Sequence, residues 1–313
     1  MLCSGVHPFP NIVLANESMN SPLPLRDGVA PSYLWLPPGD WPDMFTFLLA
    51  RFPDVGAAAW QRRMQCGEVR NQTGAALAPS SPYRRGDCIF YYREIDDEIP
   101  VPFEEQVLYR DAHILVVDKP HFLAVTPGGK FLHETLLVRL KKKTGLADLT
   151  PLHRIDRETA GLVLFSHNPH SRAAFHELFR QRTVDKTYEA LTDGPGTVEL
   201  PAVYHSRIEE GPVFFRMQEV AGEPNAETHI HLLQRQGTQA LYRLHPVTGR
   251  KHQLRVQLAA LGRPIVNDRF YPEAVPDGTP DDYLHPLKLL ARAIAYADPL
   301  DGRPRRFESE RVL

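Results

Sequence analysis

His153-Arg154-Ile155-Asp156-Arg157-Glu158-Thr159-Ala160-Gly161-Leu162-Val163-Leu164-Phe165 is a charged loop that runs straight into an apolar run. Leu162 to Phe165 read as a buried strand. Asp156 stands between two arginines just ahead of it, so its carboxyl ionises easily and a rigid element holds it in place. That setting suits a nucleophile or an electrostatic anchor better than a general acid. On spacing alone, a loop aspartate in a surface ion pair accounts for the pattern equally well.

Outward from this stretch, the chain alternates short strands with a few helices. Upstream, His113-Ile114-Leu115-Val116-Val117-Asp118 reads as a buried strand ended by Lys119-Pro120. Thr126-Pro127-Gly128-Gly129 reads as a turn, and Glu134 to Lys143 as a helix whose basic end suits the helix C-terminus. Downstream, a helix is predicted over Ser171 to Arg182 and a strand over Thr183 to Leu191. Several short strands follow between Val198 and Leu244. His245 to Gly249 reads as a turn, Arg250 to Leu261 as a helix, and Leu287 to Tyr296 as a last apolar strand before the hairpin-type turn Pro299-Leu300-Asp301-Gly302. This pattern predicts an α+β catalytic domain on a mostly antiparallel, mixed sheet over residues 99–313.

The preceding part divides in two. Residues 1–30, rich in Pro, Ser and Asn, read as a poorly ordered or draped arm. Residues 31–98 read as a compact module: a helix near 43–54, a second over Ala57 to Gln65 capped at Gly67, and strands at Gly67 to Gly74 and Cys88 to Arg93. Its arginines, Arg62 and Arg63 among them, make either a solvated face or a phosphate-binding surface. Asp96-Asp97-Glu98 with Pro100 and Pro102 is the linker candidate.

Composition narrows the class. The chain has 313 residues, 42% of them hydrophobic and 24% charged, as in a soluble globular protein. No apolar run is long enough to cross a membrane, and Met1 to Asn20 lacks the charged start of a signal peptide. Cys3, Cys66 and Cys88 are odd in number and widely spaced, which argues for a reducing cytoplasm and against disulfides or structural zinc. His229 and His231 share a strand face without a third ligand, so no metal is expected. The net charge of −2 counts mildly against a nucleic-acid partner without excluding one. Nucleotide-binding glycine loops, HExxH and GxSxG are absent.

Three pieces in order, His153 to Leu162, Lys186-Thr187-Tyr188-Glu189-Ala190-Leu191 and His245-Pro246-Val247-Thr248-Gly249-Arg250-Lys251-His252-Gln253-Leu254-Arg255-Val256-Gln257, join the opening Val117-Asp118-Lys119-Pro120. Together they resemble the RluA family of pseudouridine synthases from about residue 107 onward. Residues 41–93 resemble, more loosely, a small S4-type α/β RNA-binding domain. The resemblance implies a cofactor-free isomerase that converts uridine to pseudouridine in ribosomal or transfer RNA, after flipping the base out of its helix. It puts the nucleophile at Asp156, the tyrosine that stacks on the target base at Tyr188, and the arginine paired with the carboxylate at Arg255. By itself Tyr188 reads as a core tyrosine and Arg255 as a helix-surface arginine; together with the Asp156 loop they read as parts of the site.

His153, Arg154, Arg157, Arg250, His252, Arg62 and Arg63 are the candidate RNA contacts, and a monomer with RNA as its partner and no membrane association is expected. The pattern departs from the family at Ile155, Ala160, Gln257 and Leu290. Those departures bear on RNA contacts more than on chemistry. An RNA-binding assembly factor with the same fold, or a nucleoside hydrolase, are the competing readings.

Overall fold

The computed structural model describes residues 21–95, 98–194, 199–213, 215–276 and 278–313. Most of the predicted arm, Asp96 and Asp97 of the linker, and Cys3 lie outside the described residues. The chain divides into two compact units. One contains residues up to Glu98 together with Pro127–His133; the other contains Ile99–Thr126 and Glu134–Leu313.

The first unit is built from β1 (Ser32–Trp35), α1 (Met44–Arg51), α2 (Ala57–Gln65), β2 (Val69–Asn71) and β3 (Cys88–Tyr91). The strands form a small antiparallel sheet in the order β1-β3-β2. Asp43 caps α1 by accepting the Thr46 N–H at 2.7 Å. The helix is shorter than the sequence pattern predicts, because Pro53 interrupts it and a short 3-10 turn, Pro53–Val55, follows. Met44, Phe47, Leu48, Trp60 and Met64 close over Ile89 and Tyr91. Residues 21–30 lie on this unit, with Leu23 buried against Cys88, Phe90 and Tyr92. The 127–133 excursion is held by Glu98, whose carboxylate accepts the Leu132 and His133 N–H groups at 2.6 and 2.8 Å.

The second unit contains β4 (Gln106–Arg110), β5 (Ile114–Lys119), α3 (Leu136–Thr144), β6 (Thr150–Pro151), β7 (Ala160–Ser166), α4 (Pro169–Arg180), β8 (Asp185–Asp193), β9 (Val203–Glu210), β10 (Met217–Val220), β11 (Ala226–Gln236), β12 (Gln239–Pro246), α5 (Gln253–Ala260), β13 (Leu289–Ala297) and β14 (Pro304–Glu308). Among the described residues they make one eleven-stranded sheet in the order β10-β9-β11-β12-β8-β13-β7-β5-β4, with β14 beside β13 and β6 beside β7. Every pairing is antiparallel except β13 with β7. The fold is therefore α+β on a mostly antiparallel mixed sheet.

The central strands are apolar on both faces because both are covered. Leu115, Val117, Val163 and Phe165 pack with Leu136 and Leu140 of α3. Ile114, Val116, Leu162 and Leu164 pack with Phe175 of α4. At the β7–β13 seam only glycine fits. Gly161 has φ +110°, and a Cβ there would fall 2.3 Å from the Ala291 carbonyl oxygen.

Two boundaries differ from the sequence reading for local reasons. His245 and Pro246 complete β12 rather than opening a turn. The last helix begins at Gln253, not Arg250, because His252 takes a left-handed conformation (φ 54°) and the Gln253 amide oxygen accepts the Arg250 N–H at 3.0 Å.

Candidate active site

Asp156 lies in the turn between β6 and β7, where its carbonyl accepts the Thr159 N–H at 3.2 Å. Three contacts pin this turn. Ile155 packs on the core cluster of β5, β7 and α3. The Lys119 ammonium, at the end of β5, donates to the carbonyls of Pro120, Leu123 and Arg157 at 2.9, 2.7 and 3.0 Å. The His121 ring bonds the Glu158 carbonyl at 2.7 Å. The three carbonyls engage all three N–H donors of an ammonium, while burial pushes the Lys119 pKa down to about 7.

Arg255 of α5 reaches this turn from the other side. Its guanidinium is fully buried, and it clasps Asp268 through Nε and Nη2 at 2.8 and 2.7 Å. The remaining nitrogen, Nη1, lies 3.3 Å from both Asp156 and Glu158. The three carboxylates differ in access. The Asp268 side chain is fully buried and Glu158 is 10% exposed, whereas Asp156 is 24% exposed. Asp156 is the most accessible of the three.

Burial by itself would raise the Asp156 pKa. The His252 ring, Arg255 and Lys119 outweigh it and hold the carboxyl below its usual range. Burial lowers the pKa of His252 itself, so at neutral pH its ring is uncharged and the standing positive charge beside Asp156 is Arg255. The same carboxylates raise the pKa of Arg255 against its burial.

Tyr188 lies in the middle of β8, opposite Leu244 of β12 and Ala291 of β13, and packs against the apolar cluster that includes Leu254 and Leu289. Burial and then the Asp156 charge raise its pKa, so the phenol stays protonated. The second unit therefore brings Asp156 and Arg255 into contact and puts Tyr188 within electrostatic reach of Asp156.

The other residues singled out in the sequence have varied settings. Arg154 is exposed. Arg157 is engaged by Asp281 in two bonds of 2.9 and 2.6 Å, by Glu158 and by the Phe122 carbonyl. His153 accepts the Leu164 N–H at 3.1 Å and stacks on Phe179; burial pushes its pKa down to about 3, so it is neutral. His252 is buried, stacked on Phe270 and bonded to the Tyr271 hydroxyl at 3.0 Å. Arg250 is exposed, and its Nε donates to the Asn225 carbonyl at 3.1 Å. Arg62 and Arg63 belong to the first unit. Both pair with Glu94, Arg62 at the surface and Arg63 buried beside Trp60. Gln257 is buried between Thr228 and Ser206, to which it bonds at 2.6 and 3.0 Å.

Sequence reasoning missed three members of the site. Asp268 sits in a loop with no periodic signal; only its position before Arg269-Phe270-Tyr271, where it caps the N–H groups of Phe270 and Tyr271, marks it as a turn residue. Glu158 carries no signal of its own beside Asp156 in sequence, and Lys119-Pro120 reads there as the end of a strand. No group of three or more metal-ligating side chains with a suitable arrangement occurs among the described residues, and none of their helices is long and apolar enough to cross a membrane.

The site thus presents a half-buried, ionised carboxylate on a buried arginine, with a protonated tyrosine in electrostatic reach of that carboxylate. Residues 113–260 match the family model for RNA pseudouridylate synthase. An uncharacterized RNA pseudouridine synthase of Synechocystis sp. is 32% identical over 240 residues, covering 74% of this chain and 81% of that protein. The dual-specificity RNA pseudouridine synthase RluA of Haemophilus influenzae is 36% identical over 219 residues, 65% of this chain and 92% of that one. The mitochondrial tRNA pseudouridine(32) synthase of Saccharomyces cerevisiae is 30% identical over 230 residues, 71% and 49% of the two chains. Among solved structures, human RNA pseudouridylate synthase domain containing 4 aligns with TM-score 0.50 at 28% identity over 65% of this chain and 87% of that chain. The chain belongs to the RluA-type family of RNA pseudouridine synthases, and it is an isomerase that makes pseudouridine in RNA.

Proposed function

We propose that Asp156 is the nucleophile of this isomerisation, acting on a uridine flipped out of ribosomal or transfer RNA. The observation that carries the reading is the unequal access of three carboxylates on one arginine. Asp268 and Glu158 hold Arg255, and Arg255 keeps the more exposed Asp156 ionised. In the reaction the N1–C1′ bond breaks and the uracil turns. A C5–C1′ bond then forms as the proton on C5 is lost and N1 regains one. A carboxylate can drive this by attack on the sugar or on the base.

Tyr188, neutral and flanked by apolar neighbours, suits stacking on the extruded uracil. Exposed Arg154 and Arg250 suit phosphate contacts. His153, Arg157, His252 and Arg63, each with an internal partner, serve this reading as supports of the site or of their unit. The first unit fits a divergent S4-like RNA-binding module, with Arg62 on its surface. Transfer RNA is proposed because the yeast relative is named for it, and ribosomal RNA because the family resemblance read from the sequence implies it.

The test is incubation with unmodified ribosomal and transfer RNA transcripts, then carbodiimide labelling and primer extension. Stops are expected with the wild type and none with Asp156→Asn, which should keep its melting transition. Product from the folded Asp156→Asn protein would overturn the assignment; free uracil as the product would point to a hydrolase.

A further inference from the structure

The hairpin between β9 and β10 ends in a tip that the reading above does not use. Phe215 sits there with φ 70°, a left-handed conformation that a bulky side chain rarely adopts. It is also 52% exposed, and Val213 beside it is 49% exposed. A strained, outward aromatic ring has to be over-determined by its surroundings, and such positions cluster at ligand clamps.

The surroundings here are specific. Gly211 N–H bonds the Arg216 carbonyl at 2.8 Å and Arg216 N–H bonds the Val213 carbonyl at 3.0 Å, closing the tip. Arg216 then donates to the Pro272 carbonyl at 2.6 Å and lies over the Tyr271 ring. The Met217 N–H donates to the Tyr271 hydroxyl at 2.7 Å, and the same hydroxyl bonds His252 at 3.0 Å. The tip is thus tied through Tyr271 to the segment that leads into α5 and Arg255.

The next residue back along that segment, Lys251, sets its ammonium over the Phe215 ring at 5.0 Å. Burial lowers the Lys251 pKa, while Glu210 and Asp156 raise it and Arg154 lowers it. Lys251 is therefore within electrostatic reach of Asp156 and Arg154, and the exposed Phe215 ring lies against that ammonium.

We propose that Phe215 stacks on an unpaired RNA base next to the flipped uridine, while Lys251 and Arg154 contact the flanking phosphates. This rests on the reading of the site as one that acts on flipped uridine. An aromatic face accepts any base, and the gap left by an extruded uridine exposes the faces of its neighbours to such a ring. An exposed ring in a left-handed backbone conformation with an ammonium beside it matches the pairing of π-face and phosphate contact along a single strand.

The experiment compares wild type with Phe215→Ala, Phe215→Tyr and Phe215→Leu in single-turnover conversion of unmodified ribosomal and transfer RNA transcripts. Phe215→Ala is expected to raise the half-saturating RNA concentration roughly tenfold with little change in the saturated rate. Tyr restores it and Leu does not. Retention of the same transcripts on filters by Asp156→Asn, with and without Phe215→Ala, reads stacking without turnover and should show the same difference. If wild type makes no pseudouridine, the assignment of the site fails while the filter comparison still decides Phe215. Equal RNA affinity with Phe and Ala, or full rescue by Leu, would overturn the proposal.

Discussion

Replacing Arg255 with Met tests whether the arginine is an electrostatic keystone or a surface residue near the site. Its guanidinium is fully buried and touches three carboxylates, two of them almost or wholly inaccessible. Methionine fills similar volume but leaves Asp156, Glu158 and Asp268 facing one another without a cation. Breaking a buried pair by removing one partner costs about 3–5 kcal/mol. In a unit of about 200 residues each kcal/mol shifts Tm by roughly 2–4 °C, so a drop of about 10 °C is expected at pH 7.5.

The pH dependence carries a sign. In the wild type the Asp156 pKa is held down, so the pairing stabilises above the unfolded-state pKa and fades as pH falls through the folded-state one. In the Met variant Asp156 loses the cation that held its pKa down, so its pKa rises and its protonation in acid relieves the repulsion. The gap between the two proteins should therefore narrow on going from pH 7.5 to about 4.5. Arg255→Lys should fall between them, because one ammonium restores charge but not the two-pronged hold on Asp268. Differential scanning calorimetry at several pH values is the assay. A Met variant melting within about 2 °C of wild type at pH 7.5, or a gap that does not change with pH, would refute the reasoning.

Two further outcomes follow from the framework. Gly161→Ala should destabilise the second unit by about 3 kcal/mol, because the left-handed φ and the Ala291 carbonyl both oppose a methyl group; urea denaturation near the wild-type midpoint would contradict the seam described here. His153 is neutral in the fold, with its pKa at about 3, so protonation in the unfolded chain should erode stability as pH drops below about 6.5. His153→Gln, whose amide oxygen can accept the Leu164 N–H, should flatten that decline in Tm between pH 6.5 and 4; parallel pH profiles would sink the idea.

What the sequence made legible was local or patterned. Ala57–Gln65 is a helix with the predicted ends because its apolar stripe and closing glycine are all contiguous. The β7 run is recognisable from its unbroken apolar character, and the mostly antiparallel sheet from the number of short strands. What was not legible depends on pairings far apart in the chain. The parallel contact of β7 with β13 joins residues more than a hundred positions apart, and nothing in either strand announces its partner. Asp268, Glu158 and Lys119 belong to the site only because the fold delivers them around Arg255 and the Asp156 turn. Charged residue types were equally ambiguous. Arg154 and Arg157 look alike in sequence, yet Arg154 is exposed whereas Arg157 is taken up by Asp281 and Glu158.

The position of β13 sets the order in which this enzyme can come into being. Because that strand, formed by residues 289–297, separates β8 with its tyrosine from β7 with its aspartate turn, the two cannot reach their final spacing until the stretch has been synthesised and inserted. Closing such long loops is slow relative to local helix formation. A nascent chain can complete the small first unit, and any RNA grip that unit has, well before it can react. The first unit can therefore form before Asp156 and Tyr188 reach their final spacing, a step that waits on residues 289–297 entering the sheet.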